Sequence, residues 1–166
     1  DAKSVILIEA ESGNVLYEDN ADERLSPASV TKIMTLLLIC ESVQDGRVRL
    51  EDNIPVSEYA ASMGGSQVFL KPGEKITADE MIKSITVASA NDCAVAMAEY
   101  ICGSEQAFVE RMNEKAATLG MKNTVFENVT GLDDSTKNHL TTARDIAIMS
   151  RELLKHEMIF NYTTIW

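Results

Sequence analysis

Apolar positions alternate at the start of the chain and then switch to helical spacing. Residues 4–10, SVILIEA, are rich in β-branched side chains, ESGN reads as a turn, and VLYED continues the extended pattern, so this segment predicts a β-hairpin. From Pro27 the period becomes helical, and SVTKIMTLLLICESVQDG predicts a helix that stops near Gly46. Residues 47–75 hold short alternating pieces with Gly and Pro, an irregular excursion in which QVFL, residues 67–70, predicts a short strand. TADE, residues 77–80, fits a capping box and starts a helix through MIKSITVAS. NDCAVAMAEYI makes the next helix, stopping near Gly103. Ser104 caps EQAFVERMNEKAATL, which ends at Gly120. A long polar connection follows, and Thr142 with Asp145 caps a final helix, ARDIAIMSRELLKHE. The pattern is α+β, yet its one clear sheet is a two-stranded hairpin. Such a hairpin is marginal alone and needs more strands or an apolar helix face beneath it. NYTTIW at the end starts a new element, and partner strands are expected after Trp166.

Composition narrows the possibilities. The 166 residues suit one domain, 1–166, and 45% of them are apolar, enough for an ordinary core. The net charge of −11 and the lack of any basic run argue against nucleic acid as a partner and against polybasic docking to anionic lipid. No apolar run is long enough to span a bilayer. The chain opens at Asp1 without Met and without a signal-peptide pattern, as a mature or excised segment would. Cys40, Cys93 and Cys102 are odd in number and lie in apolar helical contexts, so they read as buried free thiols. The eight methionines fall mainly on helices and read as core filler. Two histidines, His139 and His156, without an H-E-x-x-H pattern make a zinc site improbable.

Candidate chemistry begins in RLSPASVTK, residues 24–32. Ser29 and Lys32 are three apart and share a helix face, with Ser29 in the first turn, where free N–H groups and the helix dipole favour developing negative charge. Lysine can act as the base for a serine nucleophile when burial lowers its pKa. Alone, the spacing is better read as a serine cap and a surface lysine. A second stretch, SAN, residues 89–91, falls between two helices. Ser89 could relay a proton there and Asn91 could hold a substrate amide, although a helix break with capping side chains explains the stretch by itself. SGN, residues 12–14, has the same pattern but is accounted for by the hairpin turn. His139 is expected to be solvated or capping, and Asp133 and Asp134 to be solvated loop acids. Asn128 and Thr130 form a glycosylation sequon, a pattern that by itself assigns no function.

S-x-x-K at a helix start followed by S-x-N between helices is two thirds of the motif set of penicillin-binding proteins and serine β-lactamases. Around those motifs the segments LSPASVTKIMT, FLKPGEKITADEMI, SANDCAVAMAEYICGS, FVERMNEKAATLGMKNTVFENVTGLDD and HLTTARDIAIMSRELL occur in family order. In them the chain resembles the low-molecular-mass penicillin-binding proteins, the serine-type D-alanyl-D-alanine carboxypeptidases. The resemblance implies a β-lactamase/transpeptidase-like fold, a helical cluster packed on an antiparallel sheet. It implies Ser29 as the acylated nucleophile, Lys32 as its base, Ser89 as a proton relay, Asn91 as a substrate-orienting residue and the Ser29 N–H as half of an oxyanion hole. The implied substrate is a peptidoglycan stem peptide ending in D-alanine. β-Lactams would acylate the same serine, no cofactor or metal is implied, and the location is the exported cell envelope. The third motif, Lys-Thr/Ser-Gly on a strand, is absent; the nearest string, KPG at residues 71–73, has a proline that cannot donate a strand hydrogen bond. That motif, its strands and any membrane anchor are expected beyond Trp166, and this segment alone is expected to be impaired. A serine β-lactamase and a non-catalytic β-lactam-sensing or wall-binding domain are the alternatives. ENVTGLDD does not resemble the deacylating-glutamate loop of a class A β-lactamase.

Overall fold

In the computed structural model, which describes residues 1–134 and 136–164, the hairpin forms as expected. Strands β1 (Val5–Ile8) and β2 (Val15–Asp19) pair antiparallel, with Val5 opposite Asp19 and the register slipping between Leu7 and Ile8. Gly13 turns the chain at φ +76°, and the Asn14 N–H donates to the Ser12 hydroxyl. The hairpin lies against α6 (Ala143–Leu154), where Ile6, Ile8 and Val15 face Ala147 and Ile148 across a cavity of about 340 Å³. Arg144 pairs with Glu18 and Asp22, and Arg151 donates to the carbonyls of Ala10 and Glu11. Leu7, Leu16 and Tyr17 are more than half exposed. Thus the helix-face solution to the marginal hairpin is the one present among the described residues.

Helix α1 (Lys32–Gln44) runs through the centre, packed on α6 and on α4 (Asn91–Cys102). Met34, Leu37, Ile39 and Cys40 of α1, and Ala94 to Ala98 of α4, have no exposed surface. A helix apolar on all sides belongs in the interior, and the small Ala and Cys side chains of α4 let its neighbours approach closely. Helices α3 (Ala78–Ala88) and α5 (Glu105–Leu119) flank α4. Three caps are those the sequence predicts: Thr77 accepts from the Glu80 N–H, Ser104 from Ala107 and Thr142 from Asp145. Gly103 and Gly120 close α4 and α5 at positive φ.

Several expectations are corrected. Residues 67–70 form no strand; their backbone is turned around the carboxylate of Asp92. The excursion instead contains β3 (Asn53–Pro55) paired antiparallel with β4 (Lys75–Thr77), plus one turn of helix, α2 (Glu58–Ala61). Both strands are only three residues long, too short for an alternating pattern to show. The end of the chain forms a short helix, α7 (Phe160–Thr163), whose Tyr162 is buried against α3 and donates to Asp79; Ile165 and Trp166 lie outside the described residues. Cys40 and Cys93 are buried free thiols pushed up to about 12 by burial, whereas Cys102 is only half-buried.

Candidate active site

Pro27 opens a single 3-10 turn, Ala28–Thr31, and the α-helix starts only at Lys32. The expected continuous helix over 29–46 is corrected to this two-part form. The Lys32 N–H bonds the Ser29 carbonyl, and at three residues per turn positions i and i+3 eclipse. Ser29 and Lys32 therefore share a face more closely than in an α-helix. Ser29 is exposed, and its hydroxyl and N–H take no partner among the described residues. The N–H is thus free for an incoming oxyanion.

Lys32 is not a surface lysine. It is 4% exposed, and its Nζ donates to the Thr130 carbonyl at 3.0 Å. Burial lowers its pKa from 10.5 to about 8, with no carboxylate paired to it to hold the charge. This is the state a general base needs: an appreciable neutral fraction close to the working pH. The neighbouring Thr35 hydroxyl donates to the Val129 carbonyl at 2.8 Å, so two successive loop carbonyls are stitched to one face of α1.

The loop that supplies those carbonyls is itself clasped. Asn128 Oδ1 accepts from the Gly131 and Thr130 N–H groups, and its Nδ2 donates to the Leu132 carbonyl. Glu105 accepts from the Val129 N–H and from the Tyr59 hydroxyl. Gly131 has φ +86° and lies against the Ala28–Ser29 peptide, leaving no room for a side chain. His139 is corrected from a solvated role: it is 3% exposed. Its Nδ1 accepts from the Glu127 N–H at 2.8 Å, so Nε2 carries the proton and donates to Thr31 Oγ1 at 2.7 Å. Burial lowers its pKa, against the pull of the Glu127 and Asp133 carboxylates, so the ring is held neutral. Asp133 and Asp134 are exposed, as expected, although Asp133 accepts from the Ser26 hydroxyl.

SAN does break the helix. Ser89 ends α3 in the left-handed region at φ +52°, half-exposed, and Asn91 opens α4. Asn91 is 3% exposed; its Nδ2 donates to the Gly64 carbonyl, and its buried Oδ1 has no partner among the described residues. Its backbone N–H donates to the Ser66 carbonyl, and Gly65 lies where a Cβ would stand 2.8 Å from its Nδ2. Thus Ser29 lies in the 3-10 turn ahead of α1, Lys32 opens α1, Ser89 closes α3 and Asn91 opens α4. Loops 63–70 and 128–132 meet at Gly65, which lies against both Asn91 and Leu132, and the second loop also abuts Ser29 and Lys32.

Sequence reasoning missed the supporting set, Thr31, Gly65, Asp92, Asn128, Thr130, Gly131 and His139. Only the doubled glycine at 64–65 and the Thr-Gly pair at 130–131 carried a signal, a demand for close backbone approach.

A family model described as D-alanyl-D-alanine carboxypeptidase matches residues 1–165. The chain is 55% identical over 163 residues to D-alanyl-D-alanine carboxypeptidase DacF of Bacillus subtilis, covering 98% of this chain and 41% of the relative. It is 40% identical over 161 residues to DacA of Escherichia coli, covering 93% of this chain and 40% of the relative. The chain therefore spans about two fifths of the length of these curated relatives. Among solved structures, penicillin-binding protein 6B of Escherichia coli superimposes with a TM-score of 0.91 at 33% identity, over 98% of this chain and 52% of that one. Penicillin-binding protein D2 of Listeria monocytogenes, in its ampicillin-bound form, does so with a TM-score of 0.85 at 25% identity, over 98% and 65%. With a family model matched over residues 1–165 and this likeness along its length, the chain belongs to the D-alanyl-D-alanine carboxypeptidase family.

Proposed function

We propose that this chain is the nucleophile-bearing portion of an exported serine D,D-carboxypeptidase that trims the terminal D-alanine from peptidoglycan stem peptides. The observation that carries the reading is the buried Lys32, its pKa lowered to about 8, three residues after an exposed and unpartnered Ser29. Neutral Lys32 takes the proton of Ser29 Oγ as that oxygen attacks the carbonyl between the two D-alanines. The Ser29 N–H stabilises the oxyanion. Ser89 passes a proton to the departing amine, the C–N bond breaks and free D-alanine leaves. Water then attacks the Ser29 ester and releases the shortened peptide. Asn91 orients the substrate amide, and its unpartnered Oδ1 is an acceptor able to take an N–H. β-Lactams enter as mimics whose ring opens on the same serine. The substrate chemistry places the work on the outer side of the cytoplasmic membrane.

The test is labelling by a fluorescent penicillin in the full-length protein. One label per chain, on the peptide containing Ser29 and lost in Ser29→Ala, is expected. Labelling that survives Ser29→Ala overturns the assignment.

A further inference from the structure

Among the described residues, four that are not glycine hold a positive φ: Asn20, Ala28, Phe69 and Ser89. Asparagine visits this region readily, whereas alanine, serine and above all phenylalanine do so at a cost. Three of the four belong to the site. Ala28 precedes Ser29, Ser89 is a site residue, and Phe69 lies between Val68 and Leu70, whose N–H groups are bonded to Asp92, the neighbour of Asn91. The buried carboxylate of Asp92 accepts from the Val68 N–H at 3.2 Å and the Leu70 N–H at 3.0 Å. The chain is thus clamped on both sides of Phe69, and Asn91 holds the same loop through Gly64 and Ser66.

The clamp sends the ring outward: Phe69 is 75% exposed. An exposed aromatic side chain in the left-handed region adds little to the core and strains the backbone, so packing among the described residues does not explain it. Backbone strain that persists at a site marks function there. Val30, next to Ser29, and Val87, two residues before Ser89, are exposed as well.

We propose that Phe69 is a specificity-determining residue whose ring forms an apolar wall for the acyl-donor half of the substrate. The inference rests on the carboxypeptidase reading above. Phe69 stands on the loop that Asn91 holds through Gly64 and Ser66, and Asn91 is the residue proposed above to orient the substrate amide, so the ring lies toward the substituent carried by that amide. A flat or aliphatic acyl group is the chemistry that suits it. No bond is made or broken by Phe69.

The experiment compares acylation of the full-length protein by benzylpenicillin, which carries a phenylacetyl substituent, and by 6-aminopenicillanic acid, which lacks one. In Phe69→Ala the second-order acylation rate for benzylpenicillin is expected to fall about tenfold, and that for 6-aminopenicillanic acid less than twofold. Phe69→Gly is expected to show the same selective loss while its thermal midpoint rises by about 2–4 °C, because glycine removes the strain. Equal losses for both compounds, or a lowered midpoint in Phe69→Gly, would overturn the specificity role and leave the carboxypeptidase reading intact. A parent protein acylated by neither compound would overturn that reading and this inference with it.

Discussion

A methyl group placed on Gly131 would stand 1.7 Å from the carbonyl oxygen of Ala28. The loop that accepts the Lys32 ammonium therefore also abuts the peptide leading into Ser29, and the two chemical groups share one backbone support.

Gly131→Ala is accordingly expected to displace the 28–29 peptide, since a clash with backbone cannot be relieved by a rotamer change. Misplacement by about 1 Å at a reacting group costs roughly 100-fold in rate. Acylation by a fluorescent penicillin should fall at least that far, and urea titration should show a loss of about 3 kcal/mol or more. A variant of parental rate and stability would refute the shared support.

Lys32 gives the reaction a pH dependence. With its pKa lowered to about 8, the neutral base accumulates as pH rises, so the acylation rate should climb through pH 7–9 and level off above. The stability sign follows separately. The unfolded lysine keeps its proton up to about 10.5, so between pH 8 and 10.5 the unfolded chain binds more protons and stability rises with pH. Lys32→Met should abolish acylation and erase that rise. A rate flat across pH 7–9 argues against Lys32 as the base.

His139 acts in the other window. Burial lowers its folded pKa, so as pH falls below the unfolded value of about 6.5 the unfolded chain gains a proton that the folded one resists. Stability is therefore lost on acidification through 6.5. His139→Gln should flatten the pH 5–6.5 part of the stability curve, and His139→Ala, leaving the Glu127 N–H without its acceptor, should cost about 2 kcal/mol at pH 7.5. Identical pH profiles for parent and His139→Gln would contradict the buried neutral ring.

Asp92 accepts from three backbone N–H groups, those of Val68, Leu70 and Cys93. Asp92→Asn would set an amide NH₂ against one or more of these donors. Hydrogen exchange of the Val68 and Leu70 amides should accelerate about 100-fold, with a stability loss of about 2–3 kcal/mol. Unchanged protection of those two amides would show that the carboxylate does not hold the loop.

What could be read without the structure follows physical range. The hairpin, the longer helices and their caps at Thr77, Ser104 and Thr142 are set by neighbours within four residues, and local pattern was enough. Ser29, Lys32, Ser89 and Asn91 stood out as short motifs. The burial of Lys32 did not, because it depends on Thr130, 98 residues away. His139 looked like a loop residue for the same reason: its partner Thr31 is 108 residues distant. The QVFL strand failed because its alternation reflects a backbone wrapped on Asp92, not a ladder.

The attachment of the hairpin to α6 also sets an order of assembly. Arg144 reaches Asp22 across 122 residues, and Arg151 reaches Ala10 across 141. Helices α3, α4 and α5 pack on sequence neighbours, so their loops close early and at low entropic cost. The strands at residues 5–19 are made well before the helix they dock on: they wait for residues 143–154 before their apolar side finds cover. Until then Ile6, Ile8 and Val15 stand open, which makes the interval before α6 arrives one in which this chain is prone to aggregate.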